Sequence, residues 1–190
     1  MANLINNPKH QVPGENIKGI AWHWYDFTCP FCYVSKTRSE ILTINGFDVI
    51  SVPFQAHPDI PPEGIYIGER KGSMYDLLEK EAAEAHLPLK WPLRLPNSRY
   101  ALAVAEQVRR HFPDLFSELK DSLYAAHFAL GEDLGWRAFV NNCLKEFGVD
   151  SEECYLAYRI AGFGPGAQHR YIVILNGVAC NLKIRPFFVN

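Results

Sequence analysis

Ile20-Ala-Trp-His-Trp-Tyr-Asp-Phe27 runs into Thr28-Cys-Pro-Phe-Cys32 and then into Tyr33-Val-Ser-Lys-Thr-Arg-Ser-Glu-Ile-Leu-Thr43. The first eight residues are aromatic-rich and nearly continuous in apolar character, as in a strand buried on both faces. From Pro30 to about Thr43 the chain reads as a helix. Pro30 falls in its first turn, where a missing N–H costs nothing. Asn45-Gly46 supplies a left-handed stop. Phe47 to Val52 reads as a second strand, ended by Pro53. Strand, CxxC, helix, strand is the opening of a βαβ unit, and a CxxC in that place reads as a thioredoxin-like redox pair.

Working outward, residues 1–17 read as an irregular polar arm, and His57 to Gly68 as a proline-rich loop. From Ser73 to about Ile160 nearly everything reads as helix. Ser73, with Asp76 three residues on, is a capping-box variant. Asn97 or Ser98 can cap the next helix, whose apolar stripe is Ala101, Val104, Ala105, Val108 and Phe112. Asp114 can cap another, with Phe116, Leu119, Leu123 and Ala126 on one face. Trp136, Val140, Cys143, Leu144 and Phe147 stripe a fourth, which Gly148 ends. Asp150 with Glu153 opens a short fifth. After this helical block, Tyr171–Leu175 and Val178–Ile184 flank Asn176-Gly177, the strongest short hairpin signal. The expected class is α/β: a thioredoxin-like domain made of residues 18–68 and 163–190, interrupted by an all-helical insertion over residues 69–162.

The chain has 190 residues, 48% hydrophobic, with a formal net charge of −2. That composition is globular. The near-neutral balance speaks against a nucleic-acid partner, and no apolar run approaches the ~18 residues of a membrane span. Met1 to His10 shows neither a basic nor an apolar signal region, so the expected location is cytoplasmic.

Five cysteines in such a chain do not read as a disulfide framework. A structural zinc site would need a second close ligand pair, which does not follow Cys29 and Cys32, so no metal is expected. Disulfide exchange needs an accessible thiolate, a second thiol to resolve the mixed disulfide, and a means of lowering the first thiol's pKa. Cys29 falls at the helix start, where unpaired N–H groups favour an anion. Cys32 lies one turn further in. Cys29 is therefore the expected nucleophile and Cys32 the buried resolving thiol. The bland alternative is two reduced core cysteines at helical spacing. Asp26 and Phe31 are candidates to tune the pair. For Asp26, local bonds to backbone N–H groups are the default role. His23 could relay protons, though a strand His among aromatics is more often structural. Cys143 reads as core.

Three stretches carry a family likeness: Asp26-Phe-Thr-Cys-Pro-Phe-Cys-Tyr-Val34, Phe54-Gln-Ala-His-Pro-Asp-Ile-Pro-Pro-Glu-Gly64 and Pro96-Asn-Ser-Arg-Tyr-Ala101. Together they resemble the DsbA-like thioredoxin family, in particular its FrnE-like branch. Leu123 to Leu134 resembles that branch's helical insertion. The resemblance implies protein disulfide oxidoreductase or isomerase activity without a bound cofactor, with Cys29 and Cys32 as the redox pair. It implies protein thiols and disulfides as substrates, and a thiol reductant such as glutathione or thioredoxin as partner. It places Asn97 and Ser98 near the active site. Glutathione-using relatives carry Ser in place of the first Cys, so Cys29 favours exchange over a glutathione-dependent transferase or isomerase. A non-catalytic binding module is the remaining alternative. The C-terminal part reads as atypical or truncated. The family's cis-proline loop matches Ile184-Arg-Pro186-Phe-Phe-Val-Asn190 best, which makes Pro186 the expected substrate-side proline. A second alignment uses Tyr171 to Gly177 and loses the proline.

Overall fold

The computed structural model describes residues 18–150, 171–175 and 178–182. Strand β1 (Gly19–Tyr25) leads into helix α1 (Pro30–Val34), helix α2 (Lys36–Ile44) and strand β2 (Phe47–Pro53). β1 and β2 pair in parallel, with Gly19 opposite Phe47 and Tyr25 opposite Pro53. The βαβ opening is therefore present. The single helix expected from Pro30 to Thr43 is instead two, divided at Ser35. The Ser35 hydroxyl donates to the Cys32 carbonyl at 3.0 Å, and such back-bonding competes with the helix ladder. Gly46 closes α2 at φ 84°, a conformation that only glycine adopts at no steric cost.

β1 is not buried on both faces. Ile20 is 58% exposed and Trp22 40%, because they stand on the face of β1 opposite His23 and Tyr25. The packed face carries His23 and Tyr25.

The loop after β2 includes a two-residue strand, β3 (Ile65–Tyr66). It pairs antiparallel with β4 (Arg94–Leu95). Residues 85–98 are thus not helical, contrary to the sequence expectation; prolines 88, 92 and 96 supply the reason. The helices are α3 (Ser73–Glu84), α4 (Arg99–His111), α5 (Pro113–Ala125) and α6 (Arg137–Glu146). α5 continues into a π turn at Ala126–Leu130. Ser73 is not a cap: Gly72 holds that position and Ser73 is already helical. Asp114 likewise sits inside the first turn of α5, behind Pro113. The α4 and α6 stripes hold except at their ends, where Phe112 and Trp136 are exposed because they flank the helices.

One core joins the pieces. Tyr25, Phe27, Tyr33 and Val34 from the βαβ side pack with Leu78, Leu119, Leu123, Tyr124, Phe128 and Leu144 from the helical side. Tyr124 contacts the Phe27 ring edge-on at 5.1 Å, and Phe128 stacks on Tyr33 at 4.9 Å. Burying such rings is the largest favourable contribution a domain of this kind has.

Strands β5 (Tyr171–Leu175) and β6 (Val178–Leu182) pair antiparallel, Leu175 opposite Val178. This is the hairpin expected around Asn-Gly. Residues 1–17, the short helix expected to open with Asp150 and Glu153 (apart from Asp150 itself) and the segment holding Pro186 lie outside the described residues.

Candidate active site

The site is built where β1 turns into α1. Tyr25 to Thr28 are buried, and Cys29 occupies the N-cap of α1 in an extended conformation, φ −87° and ψ 111°. Pro30 follows at the first helical position, as expected. The Cys29 carbonyl accepts the Cys32 N–H at 3.1 Å and the Tyr33 N–H at 3.2 Å. That turn brings the Cys32 side chain back over Cys29. Both thiols are reduced and half-buried, so Cys32 is less buried than the sequence suggested.

The two sulfurs are electrically unlike. The Cys29 thiol is held below its ordinary value, first by the hydrogen bond from the Cys32 side chain. Backbone N–H groups of Cys32 and Phe31 act in the same direction, while burial and the Asp26 charge oppose them. The Cys32 thiol is pushed well up, chiefly because its proton is engaged with Cys29, then by burial and by the negative charge of Cys29 and Asp26. The arrangement can hold a thiolate at one sulfur and the proton at the other. The backbone N–H groups that the sequence pointed to do act on Cys29, and the neighbouring thiol, which the sequence did not indicate as a cause, adds the larger effect. Cys32 Sγ also lies 3.8 Å from the Trp24 carbonyl.

Asp26 is 2% exposed and makes the local bonds expected of it. Its Oδ1 accepts the Thr28 N–H and hydroxyl, both at 3.0 Å. Its Oδ2 accepts the Ala56 N–H at 2.7 Å. Phe31 contributes its N–H to the thiolate, while its ring is 48% exposed. His23 lies 3.4 Å from the Ser35 hydroxyl through Nε2, and its Nδ1 is buried without a partner. Burial, aided by the Lys120 charge, lowers its pKa to about 4.

Asn97 and Ser98 stand at the start of α4. Ser98 is the buried N-cap residue, but its side chain makes no capping bond. The Asn97 Oδ1 does that work, accepting the Arg99 N–H at 3.0 Å. The same oxygen accepts the Gln55 amide at 3.1 Å, and Asn97 Nδ2 donates to the Ile60 carbonyl. Arg99 Nε completes the set, donating to Gln55 Oε1 at 3.0 Å. The three stretches that carry the family likeness are therefore one hydrogen-bonded unit. Asp26 holds the loop at Ala56, and that loop is held in turn by Asn97 and Arg99.

A scan of family models matches residues 22–159 to the DSBA-like thioredoxin domain. The chain belongs to the DSBA-like thioredoxin family. Its fold is the DsbA-like thioredoxin fold with a helical insertion. Solved structures agree. A probable DsbA oxidoreductase from Streptomyces coelicolor superposes with a TM-score of 0.61 at 19% identity, over 74% of this chain and 67% of that one. The cytosolic disulfide reductase DsbM of Pseudomonas aeruginosa gives 0.52 at 14% identity, over 86% and 88%. The same protein with GSH gives 0.50 at 16%, over 73% and 70%. No curated protein sequence matches the chain. Family membership supports thiol–disulfide oxidoreductase chemistry in general.

Sequence reasoning missed three residues of this DSBA-like site. Tyr124 donates to the Asp26 carbonyl at 3.2 Å from inside the core. His127, 1% exposed in the π turn, has its Nδ1 3.2 Å from the Glu132 carbonyl. Lys120 lies over the Tyr25 ring, 5.1 Å from its centroid. Phe116, Lys120 and Tyr124 form an i, i+4, i+8 row, which by itself does not set this lysine apart from the others. Among the described residues no group of His, Cys, Asp and Glu is gathered to hold a metal ion, and no helix is long and apolar enough to cross a membrane.

Proposed function

We propose that this chain exchanges disulfides with protein thiols through Cys29 and Cys32. The observation that carries the reading is the placement of Cys29 at the N-cap of α1 with Cys32 one turn inside, its N–H on the Cys29 carbonyl at 3.1 Å; the two thiols are displaced in opposite directions accordingly. In the reducing direction the Cys29 thiolate attacks a substrate disulfide and forms a mixed disulfide. Cys32 then loses its proton and attacks Cys29 Sγ. The intramolecular disulfide forms, and the substrate leaves with two electrons and two protons. The reverse sequence oxidises a substrate dithiol. The sulfurs alone carry the electrons, so the exchange calls for no further cofactor.

Pro186, Asn97 and Ser98 are the proposed substrate-side residues. What supports Asn97 is its hold on the 55–60 loop, which Asp26 fastens three residues before Cys29. A thiol reductant such as glutathione or thioredoxin is the proposed electron partner, the former in keeping with the GSH-bound DsbM structure. The FrnE-like branch, a cytoplasmic location and the division at residues 69 and 162 belong to the same reading. The division is supported by β1 to β2 falling before residue 69 and by α3 to α6 following it.

The test is trapping. Cys32→Ser should accumulate mixed disulfides through Cys29, and purified wild-type protein should reduce insulin. Trapping by Cys29→Ser through Cys32 would invert the roles. Two free thiols after oxidation and alkylation, shown by mass spectrometry, would remove the reading.

A further inference from the structure

We propose that Lys120, carried by α5 of the helical insertion, is a positioning residue for Cys32: its ammonium supplies the charge against which the resolving thiol ionises. The proposal rests on the exchange reading above.

Lys120 is a half-buried cation on the inner side of α5 that no carboxylate pairs with among the described residues. Its Nζ donates to the Ser51 hydroxyl at 2.8 Å and lies 5.1 Å from the Tyr25 ring centroid and 5.7 Å from that of Phe116. Among the described residues it makes no ion pair, and Asp121 beside it is engaged by Lys36 at 2.8 Å. A hydroxyl and two ring faces offset only part of the cost of desolvating an ammonium. Burial accordingly lowers the Lys120 pKa. The Asp121 charge, shared with Lys36, and then that of Cys32 act in the opposite direction.

The topology brings Lys120 to the thiol. Ser51 is the cross-strand partner of His23. His23 Nε2 lies 3.4 Å from the Ser35 hydroxyl, which donates to the Cys32 carbonyl. Cys32 Sγ itself lies against the carbonyl of Trp24, the residue before Tyr25. Two buried polar atoms on this strand face, His23 Nδ1 and Tyr25 Oη, have no partner. Lys120 therefore roofs a polar patch beneath the active-site turn, close enough to the thiol that a negative Cys32 raises the Lys120 pKa.

The other titratable groups facing that patch are neutral or already paired; Tyr124 of α5, beside the Tyr25 ring, is kept protonated by burial and by the Cys32 charge. From β1, His23 is held neutral near pH 7 by burial and by Lys120 itself. Tyr25 is held neutral by burial, with Glu106 raising it further and Arg109 of α4 opposing. Glu106 is taken by Arg109 and Arg110 at 2.7 and 2.6 Å. Lys36 of α2 and Asp121 of α5 pair with each other. The Asp26 carboxylate is committed to Thr28 and Ala56. Cys32 is the facing group whose charge must change during exchange. When the Cys29 mixed disulfide is to be resolved, the Cys32 proton passes to solvent and its thiolate forms beside Lys120. The sulfur then bonds to Cys29 Sγ, the bond from Cys29 to the substrate breaks, and the departing thiolate takes up a proton from solvent. The insertion thus takes part in the chemistry through one residue of α5.

Stopped-flow mixing of the reduced full chain with an aromatic disulfide reagent separates the two steps. The first thiol is released by a bimolecular attack of Cys29, the second by a unimolecular attack of Cys32. In Lys120→Met the second step should slow about tenfold at neutral pH, as one unit of pKa implies, and its pH midpoint should rise. The first step should hold within about twofold on the same scale. Lys120→Arg should restore both features. Lys120→Gln keeps a donor for Ser51 without the charge, and should behave as Met does even if the Met variant misfolds. An unchanged second step and midpoint in folded Met or Gln variants overturns the proposal. So does equal slowing of both steps, which marks a general structural defect. If both variants misfold, a folded Lys120→Arg variant whose second step is about tenfold slower than wild type also overturns it. A wild-type protein that releases no second thiol removes the exchange reading itself.

Discussion

Asp26→Asn should weaken the fold and sharpen the nucleophile at once. The carboxylate accepts three hydrogen bonds in a buried setting, two from Thr28 at 3.0 Å and one from Ala56 at 2.7 Å. An asparagine can keep its oxygen toward Thr28, but its amide then faces the Ala56 N–H, donor against donor. One charge-assisted bond is lost and one buried N–H is orphaned, a cost of about 2–4 kcal/mol. At about 2–4 °C per kcal/mol for a chain of this size, the melting temperature should fall by about 4–16 °C. The thiols move the other way. The Asp26 charge raises both Cys29 and Cys32, so its removal should shift the pH midpoint of Cys29 alkylation downward. The two readouts are thermal unfolding by circular dichroism, and iodoacetamide rates across pH on the folded variant. An unchanged melting temperature would refute the role given to Asp26 in holding the 54–60 loop. An alkylation midpoint that stays or rises would refute the electrostatic account of the pair.

Two further outcomes follow from the same geometry. His23 has a pKa lowered from 6.5 to about 4, so the unfolded chain binds more protons between those values. The associated stability is fully present above pH 6.5 and is lost as pH falls through about 4. In His23→Gln, urea midpoints across this window should lose that part of their slope; an identical slope in both proteins contradicts the assignment. Tyr124→Phe removes the hydroxyl bond to the Asp26 carbonyl but keeps the ring contact with Phe27. It should cost about 0.5–1.5 kcal/mol in urea unfolding, and an unshifted midpoint would show that the bond contributes nothing.

The order strand, CxxC, helix, strand was legible by itself because each signal is local. Aromatic and β-branched runs, Pro30 inside a first turn and Gly46 after a helix act within a few residues and need no tertiary context. The same holds for the β5–β6 hairpin at Asn-Gly and for the turn-forming role of Asp26. The placement of Cys29 and Cys32 was also readable, since their spacing puts one thiol at the cap and the other a turn within. What the sequence could not show is how distant segments meet. Ser73 and Asp114 have the chemistry of caps, yet they lie inside their helices. There Gly72 and Pro113 provide the entries. Ile20 and Trp22 look like core residues, and their exposure depends on which faces of β1 are packed. The joining of Asp26, Gln55 and Asn97 spans 71 positions and appears only once β2 lies beside β1 and α4 begins against the loop that follows it. Lys120 is the sharpest case. In sequence it is one lysine among 19 basic residues, and only the packing of α5 against β1 places its charge beneath the reactive turn, because side-chain burial is set by neighbours far along the chain.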